Sequence, residues 1–444
     1  MSRFFIFSFL LFLVSPFSSF AQQELGLHFM QRAPQANLTN PAILQQQRIS
    51  IGLPGMYLNG IHTGFSLNEL ATLDEVNKTL SLDLEQALQR MNPINHLRVN
   101  GQIDLLSVGV RLPMVQIGVS TQTRYNAYLG YPKSLLELAW YGNAAFIGET
   151  LDIAPDVHAQ AWHEFGISGA FNIGHRLQLG AKVKYLIGIA DVSTGHKLAT
   201  FTTHSDHFPV NLALDYQIQT SVLNFGDIDQ PSFSGEFQAF TGNAGLGIDL
   251  GAQIRPIKKL TLSASVTDLG YIRWKDQAQS YRAFGSVYFE GLDIAEILSS
   301  DSIDTQAMVD SLLGNIDLTD SATTYTTYLS PKIYLSGSYQ LLNWLRVGAL
   351  FHSETYREQT FKSLALNASA DLGKVFSTGI TYSIRNHRYD NLGLYGVLKL
   401  GPVMTYLSSD NLLTFFLPER SQHVNIRAGM NIVFGKAPEP KRKR

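Results

Sequence analysis

Apolar and polar residues alternate with a period of two along much of the chain. That spacing sends one face of a β-strand to an apolar environment and the other to a polar one. Phe165, Ile167, Gly169, Phe171 and Ile173 share one parity, and Leu177, Leu179, Ala181, Val183 and Tyr185 resume it after a turn at Gly174-His175. The pattern recurs in Leu246, Ile248, Leu250, Ala252 and Ile254, joined across Pro256 to Lys259 to Leu260, Leu262, Ala264 and Val266. It ends in Val424, Ile426, Ala428, Met430, Ile432 and Phe434, set against Asn425, Arg427, Gly429 and Asn431; Val433 breaks the alternation. The polar parity carries Lys, Gln, Ser, Thr and Gly, which cannot line a dry core but suit a water-filled or plugged lumen.

Turn lengths add a second regularity. Short turns fall near Pro113, Gly174, Phe208-Pro209, Pro256, Leu342, Gly373 and Gly401. Longer polar connections separate them: 66–95, 130–156, 191–195, 224–241, 275–325, 353–361, 385–390 and 408–422. Counting back from the last strand carries this alternation to a hairpin near Leu53-Pro54-Gly55. The prediction is an all-β fold, a closed antiparallel transmembrane β-barrel of about 14–16 strands with short helical insertions in loops. The segment Tyr281 to Glu290 reads as strand or loop. Helices are expected over 82–91, 133–141 and 292–313, docked on the barrel mouth. Trp162, Tyr185, Tyr271, Trp274, Tyr339, Trp344, Phe376, Tyr382, Tyr395 and Tyr406 fit interface girdles.

The N-terminus reads as a signal peptide over 1–21, with Arg3, an apolar core from Phe4 to Val14, and small residues at Ser19-Phe20-Ala21. Residues 22–47 form a polar lead-in, 48–435 the barrel, and 436–444 a basic tail in the periplasm ending Lys441-Arg442-Lys443-Arg444. After Ala21 no run approaches the roughly 20 apolar residues of a membrane helix. The absence of cysteine excludes disulfides, thiolate metal sites and a lipid-bearing cysteine. With 34 basic and 36 acidic residues the charge is nearly balanced, and nothing points to a nucleic-acid partner.

Candidate chemistry is sparse. His204, Asp206 and His207 could ligate a metal but lack a further spaced ligand and fit a solvated turn. His158 and His163 would face opposite sides of a strand. No Gly-x-Ser-x-Gly elbow is present, and Gly245-Leu246-Gly247 lies within a strand pattern rather than before a helix. No catalytic, cofactor or metal site is assigned, and the chain is not read as an enzyme.

Arg427, Gly429, Ile432 and Phe434 follow the order polar–x–Gly–x–x–apolar–x–aromatic. This resembles the C-terminal signal through which the barrel-insertion machinery recognises bacterial outer-membrane barrels; an edge strand of a soluble sandwich is the competing reading. Asn40-Pro41-Ala42 with Ile51-Gly52-Leu53-Pro54-Gly55, His62 to Glu69, Val266 to Trp274, and Tyr406 to Leu413 leading to Val424–Gly435 resemble a Bacteroidota outer-membrane barrel family with a domain of unknown function. That family is similar to the fatty-acid-transporter-like (FadL-like) barrels and to the shuttle barrel of type IX secretion. The resemblance implies the outer membrane, contact with its lipids, and Asn40, Pro41 and Ala42 as part of a luminal plug. Two functions are expected in turn: a channel or transporter for a small, apolar ligand, or a non-transporting platform for a surface or secretion partner.

Overall fold

The computed structural model describes residues 25–74, 79–174, 176–221, 223–224, 232–233, 240–289, 315–357, 359–385, 388–418 and 421–438. The leader 1–21, the helix expected over 292–313 and the end of the basic tail lie outside the described residues.

In chain order the strands are β1 (Gln47–Gly52), β2 (Gly55–His62), β3 (Ala71–Asp74), β4 (Thr79–Leu82), β5 (Ile94–Arg111), β6 (Val115–Pro132), β7 (Thr150–Asp152) and β8 (Asp156–Ile173). There follow β9 (Leu177–Thr203), β10 (Val210–Thr220), β11 (Leu223–Asn224), β12 (Ser232–Phe233), β13 (Ala244–Ile257), β14 (Leu260–Trp274), β15 (Gln279–Phe289) and β16 (Ile316–Ala322). The last are β17 (Tyr325–Tyr328), β18 (Lys332–Gln340), β19 (Leu345–Tyr356), β20 (Gln359–Leu372), β21 (Phe376–Arg385), β22 (Arg388–Leu400), β23 (Val403–Ser409) and β24 (His423–Lys436).

Antiparallel pairing passes from β1 and β2 to β5, β6, β8, β9, β13, β14, then β17 with β18, and on through β19 to β24. β24 returns to β1 (Ile51↔Ile432) and β2 (Leu58↔Ile426), closing a barrel of 14 strands. The alternation sorts as the strand period requires. Ile117, Ile167, Val183, Leu246, Leu366, Ile380, Leu407 and Phe434 are exposed outside, whereas Gln122, Lys182, Gln253, Ser265, Asn367 and Asn431 are buried inside.

The count settles at the low end of the expected range for two local reasons. Leu53-Pro54 is a break in one continuing strand, not a hairpin. Pro54 has no N–H to give the ladder, but the Leu53 amide still donates to the Met430 carbonyl at 2.9 Å and both pieces keep the same neighbours. The segment 191–195 is no connection either; it lies inside β9, which runs for 27 residues. The Phe208-Pro209 turn therefore sits at the far end of a long hairpin, on the side away from the other short turns. The connections 353–361 and 385–390 are tight as well, because β19 and β20, and β21 and β22, extend almost to each other.

Beyond the barrel rim, the upper part of β9 pairs with β10, β10 with β15, and β15 with β16, while β7 takes the other edge of β9. This five-stranded crest absorbs residues 281–289 of the segment read as strand or loop, so that stretch is strand but not barrel wall. Helix α1 (Leu25–Phe29) lies in the lead-in, followed by the short α2 (Leu67–Leu70), α3 (Leu84–Arg90) and α4 (Lys133–Tyr141). The last two match the expected helices at the mouth. Asp83 caps α3 by accepting from the Gln86 amide at 2.9 Å.

Two smaller expectations are corrected or placed. Tyr185, Tyr271, Tyr339, Trp344 and Tyr382 are exposed on the outer face, but Trp162, Trp274, Tyr395 and Tyr406 are buried within the barrel. A girdle and a filled lumen both call for aromatics near strand ends, and parity separates them. His204, Asp206 and His207 occupy the tip of the β9–β10 hairpin, where His207 and Phe208 take φ of 60° and 58°. Among the described residues no group of three potential ligands gathers.

Tyr-over-Gly pairs brace the inner wall. Tyr406 lies across Gly429 so closely that a Cβ there would come within 2.3 Å of the Tyr406 hydroxyl. Gly429→Val is expected to cost about 1–3 kcal/mol through overpacking. The check is the temperature at which the fast-migrating, unboiled band is lost on a gel, which should fall.

Candidate functional site

The lead-in lies inside the barrel. The Leu25 and Gly26 amides donate to Asp410 at 2.8 and 2.9 Å, and His28 meets Ser336 on β18 at 2.8 Å. Arg32 pairs with Asp371 on β20 at 2.9 Å, Gln35 donates to Asn431 on β24 at 2.7 Å, and the Gln45 amide donates to Gln116 on β6 at 2.8 Å. One short segment can reach such widely separated walls only from within the ring.

Asn40, Pro41 and Ala42 form a wedge in this segment. The Asn40 side-chain Oδ1 accepts from the Ala42 amide at 2.9 Å, closing a local turn, while its Nδ2 donates at 3.4 Å to the carbonyls of Ala252 and Ala264. Glycines make room. A Cβ on Gly251 would stand 2.0 Å from Asn40 Oδ1, and one on Gly180 would stand 2.3 Å from Pro41.

α1 and its flank carry the apolar part of the contact. Leu25, Leu27, Phe29, Met30 and Ala33 pack against Tyr334, Leu350, Ala365, Tyr395, Val397, Met404, Tyr406 and Val433, an apolar arc running from β18 to β24. Each large side chain so buried is worth on the order of 1.5–3 kcal/mol. Val433, the exception in the terminal alternation, points inward with the parity of Asn431, and an apolar side chain suits it because this segment covers it. His28 stacks on Tyr334 at 5.9 Å, and burial pushes its imidazole down to about 4, so it stays neutral in the lumen.

The opposite arc is charged. Arg124 forms a two-point pair with Asp268 at 2.8 and 2.9 Å, Lys182 meets Glu164 at 2.7 Å, and Lys184 joins Asp249 at 2.7 Å and Asp268 at 2.6 Å. Lys332 also pairs with Asp268. Arg98 grips Glu354 through two bonds of 2.8 and 3.0 Å and lies 4.2 Å over the Tyr356 ring. Asp268 enters this belt from a bulge, at φ 61°, that turns Thr267 and Asp268 inward in succession. Along β9, reading from its turn, Gly180 lies under Pro41, Lys182 and Lys184 follow, and Ser193 to Lys197 come last. Those last residues line an outer cavity of about 940 Å³, together with Asp156, Tyr328, Tyr356 and Arg357. From the short-turn end outward, then, the lumen holds the lead-in, the belt and the cavity.

The insertion-signal residues divide between faces. Arg427 is buried inside, 3.0 Å from Asp104 and 5.0 Å over the Tyr57 ring, and Gly429 accommodates Tyr406. Ile432 and Phe434 share the outward parity, paired with Ile51 and Ile49. Sequence reasoning did not single out the belt residues, although most are charges on the polar parity; Asp268 lies on the apolar parity and is brought inward by its bulge. His158 and His163 do separate, the first buried beside Tyr356 and the second near Thr123.

Removing one partner of a buried ion pair leaves a charge uncompensated. Glu354→Gln is expected to destabilise the barrel by about 3–5 kcal/mol, and replacing both Arg98 and Glu354 by apolar residues by less. Urea unfolding in detergent followed by Trp fluorescence distinguishes the two.

Among solved structures the chain is similar to a Pseudomonas aeruginosa FadL homologue, at 10% identity over 91% of this chain and 94% of that one, with a TM-score of 0.42. It is also similar to a TodX mutant described as a monoaromatic hydrocarbon channel (9% identity, 95% and 96% covered, TM-score 0.47) and to the Ralstonia pickettii toluene transporter TbuX (10%, 90% and 94%, 0.34). No curated protein matches. The model of a family described as one of unknown function (DUF5723) matches residues 41–410, from the wedge through the belt to the end of β23, and the chain belongs to that family.

Proposed function

We propose that the protein is an outer-membrane channel or transporter for a small apolar ligand, with residues 22–47 as a movable luminal plug held by the Asn40-Pro41-Ala42 wedge. One observation carries this reading: α1 and Met30 cover an apolar arc of the inner wall that is otherwise out of place in a polar lumen. Withdrawal of the plug would uncover a surface suited to an apolar molecule. The apolar outer face supports placement in a bilayer, and the leader 1–21 supports export. Arg427, Gly429, Ile432 and Phe434 serve as the signal to the insertion machinery in this reading, and outer-membrane lipids contact the exposed aliphatic parity.

Liposomes carrying the full chain, a chain lacking residues 22–47, or Phe29→Asp provide the test, with uptake of an apolar fluorescent tracer as the readout. The deletion and the substitution are expected to raise uptake several-fold over the full chain. No tracer flux in any of the three, and no lipid retained on purification, would overturn the reading.

A second reading, a platform for a surface or secretion partner, draws on the crest, where Phe284, Tyr288 and Leu318 are exposed. Cross-linking in native membranes should then capture a partner through the crest; a clean monomer eliminates this alternative.

A further inference from the structure

We infer that the ionic belt holds a resident small anion of halide size, bound between Arg98, Asn100, Arg124, Trp162 and Lys332. These residues line a cavity of about 30 Å³ in the middle of the lumen. Its unmet hydrogen-bonding capacity is one-sided. Asn100 Oδ1 accepts from Arg98 Nε at 3.0 Å, which fixes the orientation of the amide and leaves Nδ2 without a protein partner. Trp162 Nε1 also has no partner, and the Arg124 guanidinium lies 5.2 Å from the Trp162 ring. Both residues are more than nine-tenths buried, at 6% and 3% exposure. Among the described residues that line this cavity, no buried side-chain amide or carboxylate oxygen lacks a partner. Two buried donors without acceptors are costly, and a group that satisfies both must accept from each.

Charge makes the same demand. The belt brings together five cations (Arg98, Arg124, Lys182, Lys184 and Lys332) and four carboxylates (Glu164, Asp249, Asp268 and Glu354). One positive charge is left over in a buried setting, where an unpaired charge is strongly disfavoured. Three of the five cations line the cavity. Water could accept from Asn100 and Trp162 and donate to Asp268 and Glu354, which also line the cavity, but it would leave the surplus charge uncompensated. A water needs roughly 10–15 Å³ of space, so the cavity has room for a single small anion. The site depends on the fold alone and stands whether or not the barrel transports an apolar ligand.

The test uses the full chain in detergent. Crystals grown in sodium bromide should give an anomalous peak within hydrogen-bonding distance of Asn100 Nδ2 and Trp162 Nε1. In solution, chloride and bromide should raise the temperature at which the folded band is lost, saturably, relative to sodium gluconate at equal ionic strength. Asn100→Asp supplies the negative charge covalently and should abolish that response; Lys332→Gln removes the surplus cation and should abolish it as well. Should Asn100→Asp fail to fold, the bromide map and Lys332→Gln still decide. A cavity without a bromide peak, or halide protection that persists in both variants, overturns the inference.

Discussion

Ring closure between β24 and the two halves of the first strand is the constraint on which the structure depends. A sheet of this size with an open edge would present a row of unpaired amides and carbonyls, and closure removes the edge altogether. β24 has the harder share of the task, because its partner is broken at Pro54. It pairs with β1 on one side of the break and with β2 on the other, while Leu53 bridges the gap to Met430. Once the ring is closed, every strand has a fixed inside and outside. A one-residue slip in any pair would turn a buried charge outward and an aliphatic residue inward.

Closure then creates an interior that must be filled. The chain fills it in two chemically different ways. From β5 to β19 the wall projects charges, and these are paired across strands rather than left to water. From β18 to β24 the wall carries an apolar cluster, and the chain's own N-terminal segment covers it. The two arcs overlap at β18 and β19, where Lys332 and Glu354 belong to the belt and Tyr334 and Leu350 to the apolar cluster. Buried ion pairs contribute little net stability compared with well-packed apolar side chains. The belt is therefore a small source of net stability, and its effect is to fix which charges face one another across the lumen. The wedge at Asn40-Pro41-Ala42 marks the boundary between these layers, seated on Gly180 and Gly251 directly below Lys182 and Lys184.

The departures from the expected strand pattern share a cause. Pro54 read as a turn because proline stops a ladder, yet an edge of hydrogen bonding can lapse at one residue without reversing the chain. Asp191 to Gly195 read as a loop because its residues are polar. Within the ring, those polar residues are the ones that face the outer cavity, and bulges on either side adjust their parity. Trp162, Trp274, Tyr395 and Tyr406 read as girdle residues because they are aromatic, but their parity is that of the lumen. Local composition carried these assignments, and the neighbour across the lumen decided them.

The sequence by itself determined the all-β class, the alternation that separates inner from outer face, the hairpins at Gly174, Pro256, Gly373 and Gly401, and the helices near 84–90 and 133–141. Those features are local, set by side-chain period, turn residues and helix caps within a few positions of one another. Only the tertiary structure decided that 14 strands close, that β10, β15 and β16 rise as a crest, and that Val433 faces inward. It also decided that Arg98 meets Glu354 and that Arg124 meets Asp268. These are partnerships between residues more than a hundred positions apart, and a period of two specifies the face on which a charge lies but not which charge lies opposite.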